Sequence, residues 1–474
     1  MAGEIAVKWI EAQRQSLAGI NDRIWEFAEV GLQEYKSSQL LAAELEKAGF
    51  KVERGVAEMP TAFTATWGSG RPKIGFLAEY DALPHLSQKA SPVREPLRQD
   101  APGHGCGHNT YGAAVLGAVL ALKEEMVRDN LPGTIVFFGC PAEETLIGKT
   151  FIARAGLFDD LDCALTWHPG AFNTVSLSSS NAMNSAKFTF YGRSSHAAGD
   201  PENGRSALDA VELMNIGVNY LREHVIEEAR IHYVITKGGG EPNVVPAEAQ
   251  VWYYVRAPRR QDVDAIFARV LKIAEGAALM TETTFKVDLL AACYNMLPNE
   301  TLSAVLYEAM KKAGPPQWTP AEIAFAKEIS KSFAPGQKEA LIRATKLPPE
   351  YGEKYLDDTI APIFDRGEIM KGSTDVADVS WVTPTAQINT CCQAIGSPGH
   401  SWQFVATSGM SIAHKGLELA AKTLAIAGSE LLRKPALIEK ARAEFAAATK
   451  GQPYKCAIPG DVKPPLDQLP QQEH

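Results

Sequence analysis

Two kinds of apolar segment alternate over the first half of this 474-residue chain. Residues 4–29 and 36–50 carry apolar side chains at helical spacing, and residues 109–127 form a longer, almost wholly apolar helical segment. Short apolar runs of the kind that form strands buried on both faces occur at residues 73–80, 134–140 and 162–167. This order predicts an α/β domain with a mostly parallel sheet flanked by helices.

The pattern changes near residue 184. Strands are expected at 186–193 and 249–257, and surface helices at 204–224 and 261–280. The order strand, helix, strand, strand, helix, strand is that of a ferredoxin-like α+β module, inserted into the larger domain. The predicted division is therefore 1–183 (larger domain, first part), 184–296 (inserted module), 297–450 (larger domain, second part, with a charged insertion at about 316–370) and 451–474 (extended Pro-rich tail).

Composition narrows the class of protein. The net charge of −9 disfavours nucleic acid and anionic membrane surfaces as partners. The first residues hold charges and no apolar run, so no secretory signal is expected, and no segment is apolar enough to span a bilayer. Seven scattered cysteines fit reduced thiols, so a cytoplasmic protein is predicted.

Residues 103–109 read GHGCGHN and precede the apolar helix. The stretch has neither the spacing of a dinucleotide or phosphate loop nor the paired cysteines of a redox motif. Cys106 and His108 are two positions apart, so both side chains can face one side of an extended loop, and thiolate and imidazole suit zinc and related ions. This stretch alone is equally compatible with a glycine turn whose cysteine and histidines are incidental.

Three further stretches place candidate ligands at strand ends or in Gly/Pro loops: CPAEE (140–144), TWHPG (166–170) and GSPGHSWQ (396–403). Functional groups collect at the carboxyl ends of strands in open α/β sheets. Adjacent carboxylates repel unless a cation or proton intervenes, so one could bind metal and the other could act as a base, although a solvated loop is the usual alternative. The combined set is large enough for two metal ions and comprises Cys106, His108, Glu143, Glu144, His168 and His400.

A fourth strand end carries FLAEYDALPH (76–85). A metal-bound histidine needs a carboxylate to orient its ring and fix its tautomer, and Asp81 is the candidate for that role. A turn-forming aspartate is the alternative. Glu79 lies beside it at the same strand end.

Taken together, the order DALP, GHGCGHN, PAEE, HPG, SSHAA, PNVVP, VR and GH resembles the glutamate carboxypeptidase and aminoacylase family of dinuclear metallo-amidohydrolases over almost the whole chain. The Cys-Gly-His form is similar to its amino-acid-conjugate hydrolases, and GCGHNTYGAA, PAEETLIGKT and HSWQ look closest to the branch that acts on aminobenzoyl-glutamate. The resemblance implies hydrolysis of an N-acyl or aminobenzoyl amino acid that carries a carboxylate. It also implies two divalent metal ions, zinc or manganese, and a homodimer or a heteromer with a related chain.

The resemblance also implies roles for individual residues. Cys106 would bridge the two ions, Glu143 would be the general base, and the other ligands would be His108, Glu144, His168 and His400. The inserted module would be a lid and dimerisation domain. In it, His196 would reach the partner's site and stabilise the oxyanion, and Asn243 and Arg256 would hold the substrate carboxylate, for which arginine offers a planar fork.

The sequence departs from the family in three places. Glu79 lies where relatives have His or Asp, Asn109 stands where the subgroup has Asp, and residues 372–381 replace its Glu-Asp-Phe pattern. These departures bear on the metal preference and the substrate pocket. His104 is assigned to the loop, and His414, the alternative to His400, lies in a helical pattern where a packed or capping histidine is expected.

Other functions remain open from sequence alone. Within the family they are an aminoacylase, a dipeptidase or an aromatic aminohydrolase. A metal-binding but inactive partner of an active enzyme would lack a base or a ligand, and no such loss is seen here. The remaining alternative is a binding protein without metal, in which the glycine loops are structural.

Overall fold

The computed structural model of the protein describes residues 2–467. Its helices are α1 (Glu4–Phe27), α2 (Tyr35–Lys47), α3 (His108–Asp129), α4 (Gly148–Arg154), α5 (Ala207–Leu221), α6 (Arg260–Thr281), α7 (Glu300–Ala313), α8 (Pro320–Ser330), α9 (Gln337–Thr345), α10 (Val376–Val382), α11 (Trp402–Ser408), α12 (Ser411–Arg433) and α13 (Pro435–Thr449). Its strands are β1 (Lys51–Arg54), β2 (Phe63–Ser69), β3 (Lys73–Ala78), β4 (Gly133–Gly139), β5 (Cys163–Gly170), β6 (Thr174–Ser176), β7 (Ser179–Ser180), β8 (Ala182–Tyr191), β9 (Arg230–Lys237), β10 (Glu248–Ala257), β11 (Thr284–Cys293), β12 (Ile369–Met370) and β13 (Thr385–Cys391).

The larger sheet has the strand order β1-β2-β4-β3-β5-β13-β6. Its four central strands, β4, β3, β5 and β13, are parallel, and the strands at both edges pair antiparallel. The predicted α/β class is confirmed, with a parallel centre. The antiparallel edges make the sheet mixed as a whole.

Helices cover both faces of this sheet, which explains why its central strands read as unbroken apolar runs. Consecutive residues of a strand point to opposite faces. Phe76 and Phe137 join the core that contains α1, α3 and α12, whereas Leu77 and Phe138 join the core around α4 and α10. A strand buried on both sides therefore has no polar position to reveal its period.

The parallel register brings three strand ends to one edge. Ala78, the last residue of β3, lies opposite Gly139, the last residue of β4, and His168 on β5 lies opposite Asn389 on β13. The segments that follow β3 and β4 carry Glu79 and Glu143. Candidate ligands separated widely in sequence are thus collected at the carboxyl edge of the sheet.

The second sheet is antiparallel, with the order β11-β8-β10-β9 and with α5 and α6 packed against it. This is the ferredoxin-like arrangement expected from the sequence. Along β10, burial alternates strictly, so Tyr253 and Val255 face the helices while Tyr254 and Arg256 face away from them. That second face looks towards the candidate site. The exact domain limits stay a prediction.

The segment 316–370 contains α8, α9 and β12, and β12 pairs with β7. The tail is tied to the larger domain over residues 451–467. Tyr454 Oη donates to Asp378 Oδ1 at 2.5 Å, and Arg154 donates to two tail carbonyls. Residues 468–474 of the predicted tail lie outside the described residues. Among the residues that are described, no helix combines the length and the apolar character needed to cross a bilayer.

Candidate metal centre and active site

A cavity of about 360 Å³ lies between the carboxyl edge of the larger sheet and the outer face of the smaller one. The predicted site residues on its wall are Cys106, Glu143, Glu144, His168, Arg256 and His400. Glu79 also lines it, and His108 is fully buried directly behind, with its Nε2 3.2 Å from Glu79 Oε2. Residues from widely separated stretches of sequence therefore share one cavity.

The glycine loop needs its glycine immediately before α3. Gly107 has φ +78°, the left-handed conformation that side chains other than glycine rarely adopt. A Cβ at this position would lie 2.9 Å from both Phe404 and Pro169. The tight passage places Cys106 at the cavity wall and lets His108 begin the helix beneath it.

Hydrogen bonds set the tautomers of two histidines, as inferred from their partners. His108 Nδ1 lies 2.8 Å from Asp81 Oδ1, and His168 Nδ1 lies 2.8 Å from the carbonyl of Pro169. Both acceptors require a proton on Nδ1, so each neutral ring presents the Nε2 lone pair to the site. Asp81 Oδ2 also accepts from Glu144 N at 2.9 Å, so one carboxylate orients two candidate ligands.

The donor atoms fall into groups compact enough for cations. Ligand atoms of Cys106, His108 and His168 lie within 4.8 Å of one another, as do those of Cys106, Glu144 and His400. Cys106 belongs to both groups, which is the arrangement that a bridging ligand requires. A third group, at the same spacing, comprises Glu79, His108 and Glu143.

Several of these atoms have no hydrogen-bond partner within residues 2–467, namely Glu79 Oε2, His108 Nε2 and Glu144 Oε1. All three are acceptors when the carboxylates are ionised and His108 is neutral. Buried acceptors that face one another are unfavourable unless a proton or a cation lies between them. The donor set of oxygen, nitrogen and sulfur atoms therefore fits divalent cations.

Burial dominates the electrostatics of the site. It raises the pKa of the Glu143 carboxyl to about 7, with the charge of Glu79 acting in the same direction. Burial, followed by the charge of His108, lowers the pKa of His168 to about 3, so this imidazole stays neutral. Burial and then Glu144 raise the pKa of the Cys106 thiol. A divalent cation reverses that last preference, because a coordinated thiol loses its proton.

Sequence reasoning missed a buried ion cluster at the floor of the site. Lys149 Nζ lies 2.6 Å from Glu79 Oε1 and 2.6 Å from Asp375 Oδ1, and all three side chains are buried. Asp375 also accepts from the backbone N–H of Lys149 at 2.7 Å. Lys149 lies five positions after the glutamate pair, and Asp375 lies in the stretch that departs from the family pattern, so both signals were present but unconnected.

Two predicted residues lie apart from the cavity. His196 and Asn243 are adjacent on exposed loops of the smaller domain, where Ala197 N donates to the Asn243 carbonyl at 2.9 Å. Among the described residues that line the cavity, neither appears. Arg256 does line it, and its Nη1 lies 3.3 Å from Ser373 Oγ.

The alternative histidines lie elsewhere. His104 is buried with Nε2 3.0 Å from the carbonyl of Ile24, and His414 Nε2 lies 2.7 Å from Asp22 Oδ1. Neither is among the described residues around the cavity. The assignment of both as bystanders agrees with these positions.

Asn109 does not bear on the pocket, in contrast to the expectation from its departure from the family. It is fully buried on the side of α3 that faces α1 and α11, where its Nδ2 donates to Asn21 Oδ1 and to the carbonyl of Ser408, each at 2.9 Å. Two acceptors surround it, so an amide donor suits the position. The departure is a matter of helix packing.

Comparison with known proteins assigns the family. A family model described as a peptidase dimerisation domain matches residues 179–281, which include β8 to β10 with α5 and α6. Over 96% of its length the chain is 45% identical to one of the two chains of p-aminobenzoyl-glutamate hydrolase from Escherichia coli K12, and the match covers 97% of that protein. The chain belongs to the M20 family of metallopeptidases and amidohydrolases, as its motifs predicted, and it is a hydrolase of amide bonds.

Other relatives agree with this assignment. The chain is 28% identical to the Xaa-Arg dipeptidase of Mus musculus, over 93% of this chain and 91% of that protein. The fold is shared with an aminobenzoyl-glutamate utilization protein from Klebsiella pneumoniae (TM-score 0.59, 19% identity, 86% of this chain and 97% of that chain). It is also shared with a dinuclear metal binding peptidase of the M20 family from Bacillus subtilis (TM-score 0.56, 17% identity, 89% of this chain and 99% of that chain).

The packing role of Asn109 can be tested with Asn109→Asp. The new carboxylate would face two acceptors inside the protein, and we expect a loss of stability on the order of 3 kcal/mol. Thermal unfolding should occur at a clearly lower temperature, while metal content and KM of the folded enzyme stay at wild-type values. Asn130→Asp, at an exposed position just after the same helix, is the control. A normal melting temperature with altered KM or metal content would contradict this interpretation.

Proposed function

We propose that the protein is a metal-dependent amidohydrolase that cleaves the amide bond of p-aminobenzoyl-glutamate or a close analogue. The observation that carries the proposal is the single cavity in which Glu143, the candidate ligands and Arg256 meet. The p-aminobenzoyl-glutamate hydrolase chain of Escherichia coli K12, at 45% identity over 96% of this chain, supports the choice of substrate.

Two divalent cations fit the site, with Cys106 as the shared ligand. His108 and His168 would hold one ion, and Glu144 and His400 the other. The mixed oxygen, nitrogen and sulfur donor set suits zinc and manganese. When bound, such ions polarise a substrate carbonyl and increase the acidity of water.

Glu143 is the proposed general base. A general base works best when its pKa lies near the working pH, and burial raises the pKa of this carboxyl to about 7. Glu143 would take a proton from the attacking water and deliver it to the nitrogen of the leaving amine. It lies at the cavity wall in a short turn that follows β4, next to Glu144.

Arg256 is the proposed anchor for the substrate carboxylate. Its Nε is buried and has no hydrogen-bond partner in the described part of the chain, so donor capacity is available towards the cavity. A guanidinium binds a carboxylate through two parallel hydrogen bonds. The same wall carries the apolar side chains of Met183, Tyr254 and Met370, which suit the aryl group of an aminobenzoyl substrate.

His196 and Asn243 are proposed to act in the site of a partner chain. Both lie in the segment matched by the peptidase dimerisation domain, and both are exposed in their own chain. His196 Nδ1 accepts from the backbone N–H groups of Ala198 and Gly199, at 3.2 and 2.9 Å. The neutral ring then carries its proton on Nε2 and can donate to an oxyanion, a contribution of about 10²–10³ in rate.

The partner is proposed to be a second copy of the same chain. A heteromer is the alternative, because the chain is also 29% identical, over 57% of that protein, to the other chain of p-aminobenzoyl-glutamate hydrolase from Escherichia coli K12. The base and all proposed ligands are present in this one chain, which favours activity without a second gene product.

The substrate assignment predicts a ranking. Purified protein loaded with Zn²⁺ or Mn²⁺, with no other polypeptide added, should hydrolyse p-aminobenzoyl-glutamate with a higher kcat/KM than N-acetyl amino acids or Xaa-Arg dipeptides. Release of p-aminobenzoate and free amino acid is the readout. A preference for a substrate without an aryl acyl group would contradict the assignment, and activity only after addition of a related polypeptide would contradict the homodimer.

Glu143→Gln removes the proposed base but keeps the shape of the side chain. We expect both metal ions to be retained and kcat to fall by about 10²–10⁴, the usual contribution of a positioned base. Elemental mass spectrometry and steady-state kinetics measure the two effects. Wild-type kcat in a fully loaded variant would exclude Glu143 as the base.

Mixing two inactive variants tests whether the site is shared between the two chains of a dimer. His196→Ala and Glu143→Gln are each expected to be nearly inactive alone, because every site lacks one group. After dissociation and reassembly, about a quarter of wild-type activity should return, since half of the dimers then hold one complete site. Reassembled dimers with no more activity than the unmixed variants would rule out His196 acting in the partner's site.

A further inference from the structure

Glu79 is a buried carboxylate at the site whose two oxygens have different environments. Its side chain is 1% exposed and follows the end of β3 at the carboxyl edge of the sheet. Oε1 lies 2.6 Å from Lys149 Nζ. Oε2 points towards the cavity and lies 3.2 Å from His108 Nε2. Within residues 2–467, neither Oε2 nor Nε2 has a hydrogen-bond partner.

The contact between these two atoms is unfavourable as it stands. Asp81 accepts the proton on His108 Nδ1, so Nε2 of the neutral ring offers a lone pair. Two lone pairs 3.2 Å apart repel one another. Two ligands of one cation, with bonds of about 2.1 Å, are themselves roughly 3.0–3.4 Å apart, so a shared cation accounts for the spacing.

We propose that Glu79 Oε2 is an additional ligand of the cation bound by His108, and that Lys149 is the residue that positions it. This inference rests on the metal site of the proposed function. Because Oε1 is committed to Lys149, Glu79 would bind through one oxygen only.

Lys149 is suited to a positioning role. Its ammonium group is fully buried and is fixed from the far side by Asp375, which contacts both Nζ and the backbone nitrogen of Lys149. The lysine cannot move away without leaving a buried charge unpaired, which costs several kcal/mol. Its charge also offsets that of Glu79, so the bound ion would keep more of its own positive charge.

The test compares metal binding of Glu79→Gln with that of Glu125→Gln. Glu125 is an equally buried glutamate, away from the cavity, which accepts hydrogen bonds from the backbone at the start of α1. For each metal-stripped protein we would measure the rise in melting temperature on adding Zn²⁺, and the number of zinc ions retained against a chelator.

For Glu79→Gln we expect a smaller zinc-induced rise than in the wild type, and loss of one ion with affinity weakened by about tenfold or more. For Glu125→Gln, the melting temperatures with and without zinc should fall together, so the rise stays at the wild-type value. A structural role of Glu79 would give the second pattern.

Glu79→Asp covers the case in which Glu79→Gln does not fold. It keeps the negative charge beside Lys149, but its carboxylate ends one carbon–carbon bond short of His108. The zinc-induced rise should again be reduced.

A wild-type or larger zinc-induced rise in the folded Glu79 variants would overturn the proposal. A larger rise would mean that Glu79 pairs with a protonated His108 instead of a metal ion. If the wild-type protein itself bound no zinc, the proposed metal-dependent function would fail first, and this result is distinct from normal zinc binding by a Glu79 variant.

Discussion

Buried acceptor atoms that face one another at the carboxyl edge of the larger sheet are the constraint around which this protein is organised. Glu79 Oε2, His108 Nε2 and Glu144 Oε1 all lack a donor in the described residues. The surroundings hold them in place: Asp81 accepts from His108 and from the backbone of Glu144, and Lys149 offsets the charge of Glu79. Such a cluster is stable only with protons or cations among its members.

The two sheets divide the remaining tasks. The larger sheet collects the candidate ligands through the parallel register of its central strands, and the smaller sheet turns one face of β10 towards them. Strict alternation along β10 puts Val255 in the core of the smaller domain and Arg256 at the cavity. The same domain exposes His196 on its far loops, where a second copy of the chain could use it.

Much of the fold could be predicted because strands buried on both faces and long apolar helices have strong patterns. Strand β13 was missed, since Gln387 and Asn389 interrupt its apolar pattern in order to line the cavity. Lys149 and Asp375 were missed because their contact joins positions 226 residues apart. The side of α3 on which Asn109 lies also depends on packing against α1 and α11, which no local pattern reveals.

The central claim is that Cys106 joins two cations in one site. X-ray absorption spectroscopy of the zinc-loaded protein tests it most directly, because sulfur and zinc neighbours scatter differently from oxygen and nitrogen. We predict two zinc ions per chain, a sulfur neighbour on both ions that disappears in Cys106→Ser, and a zinc–zinc scattering contribution. A single ion per chain, or two ions without a sulfur neighbour, would contradict this account.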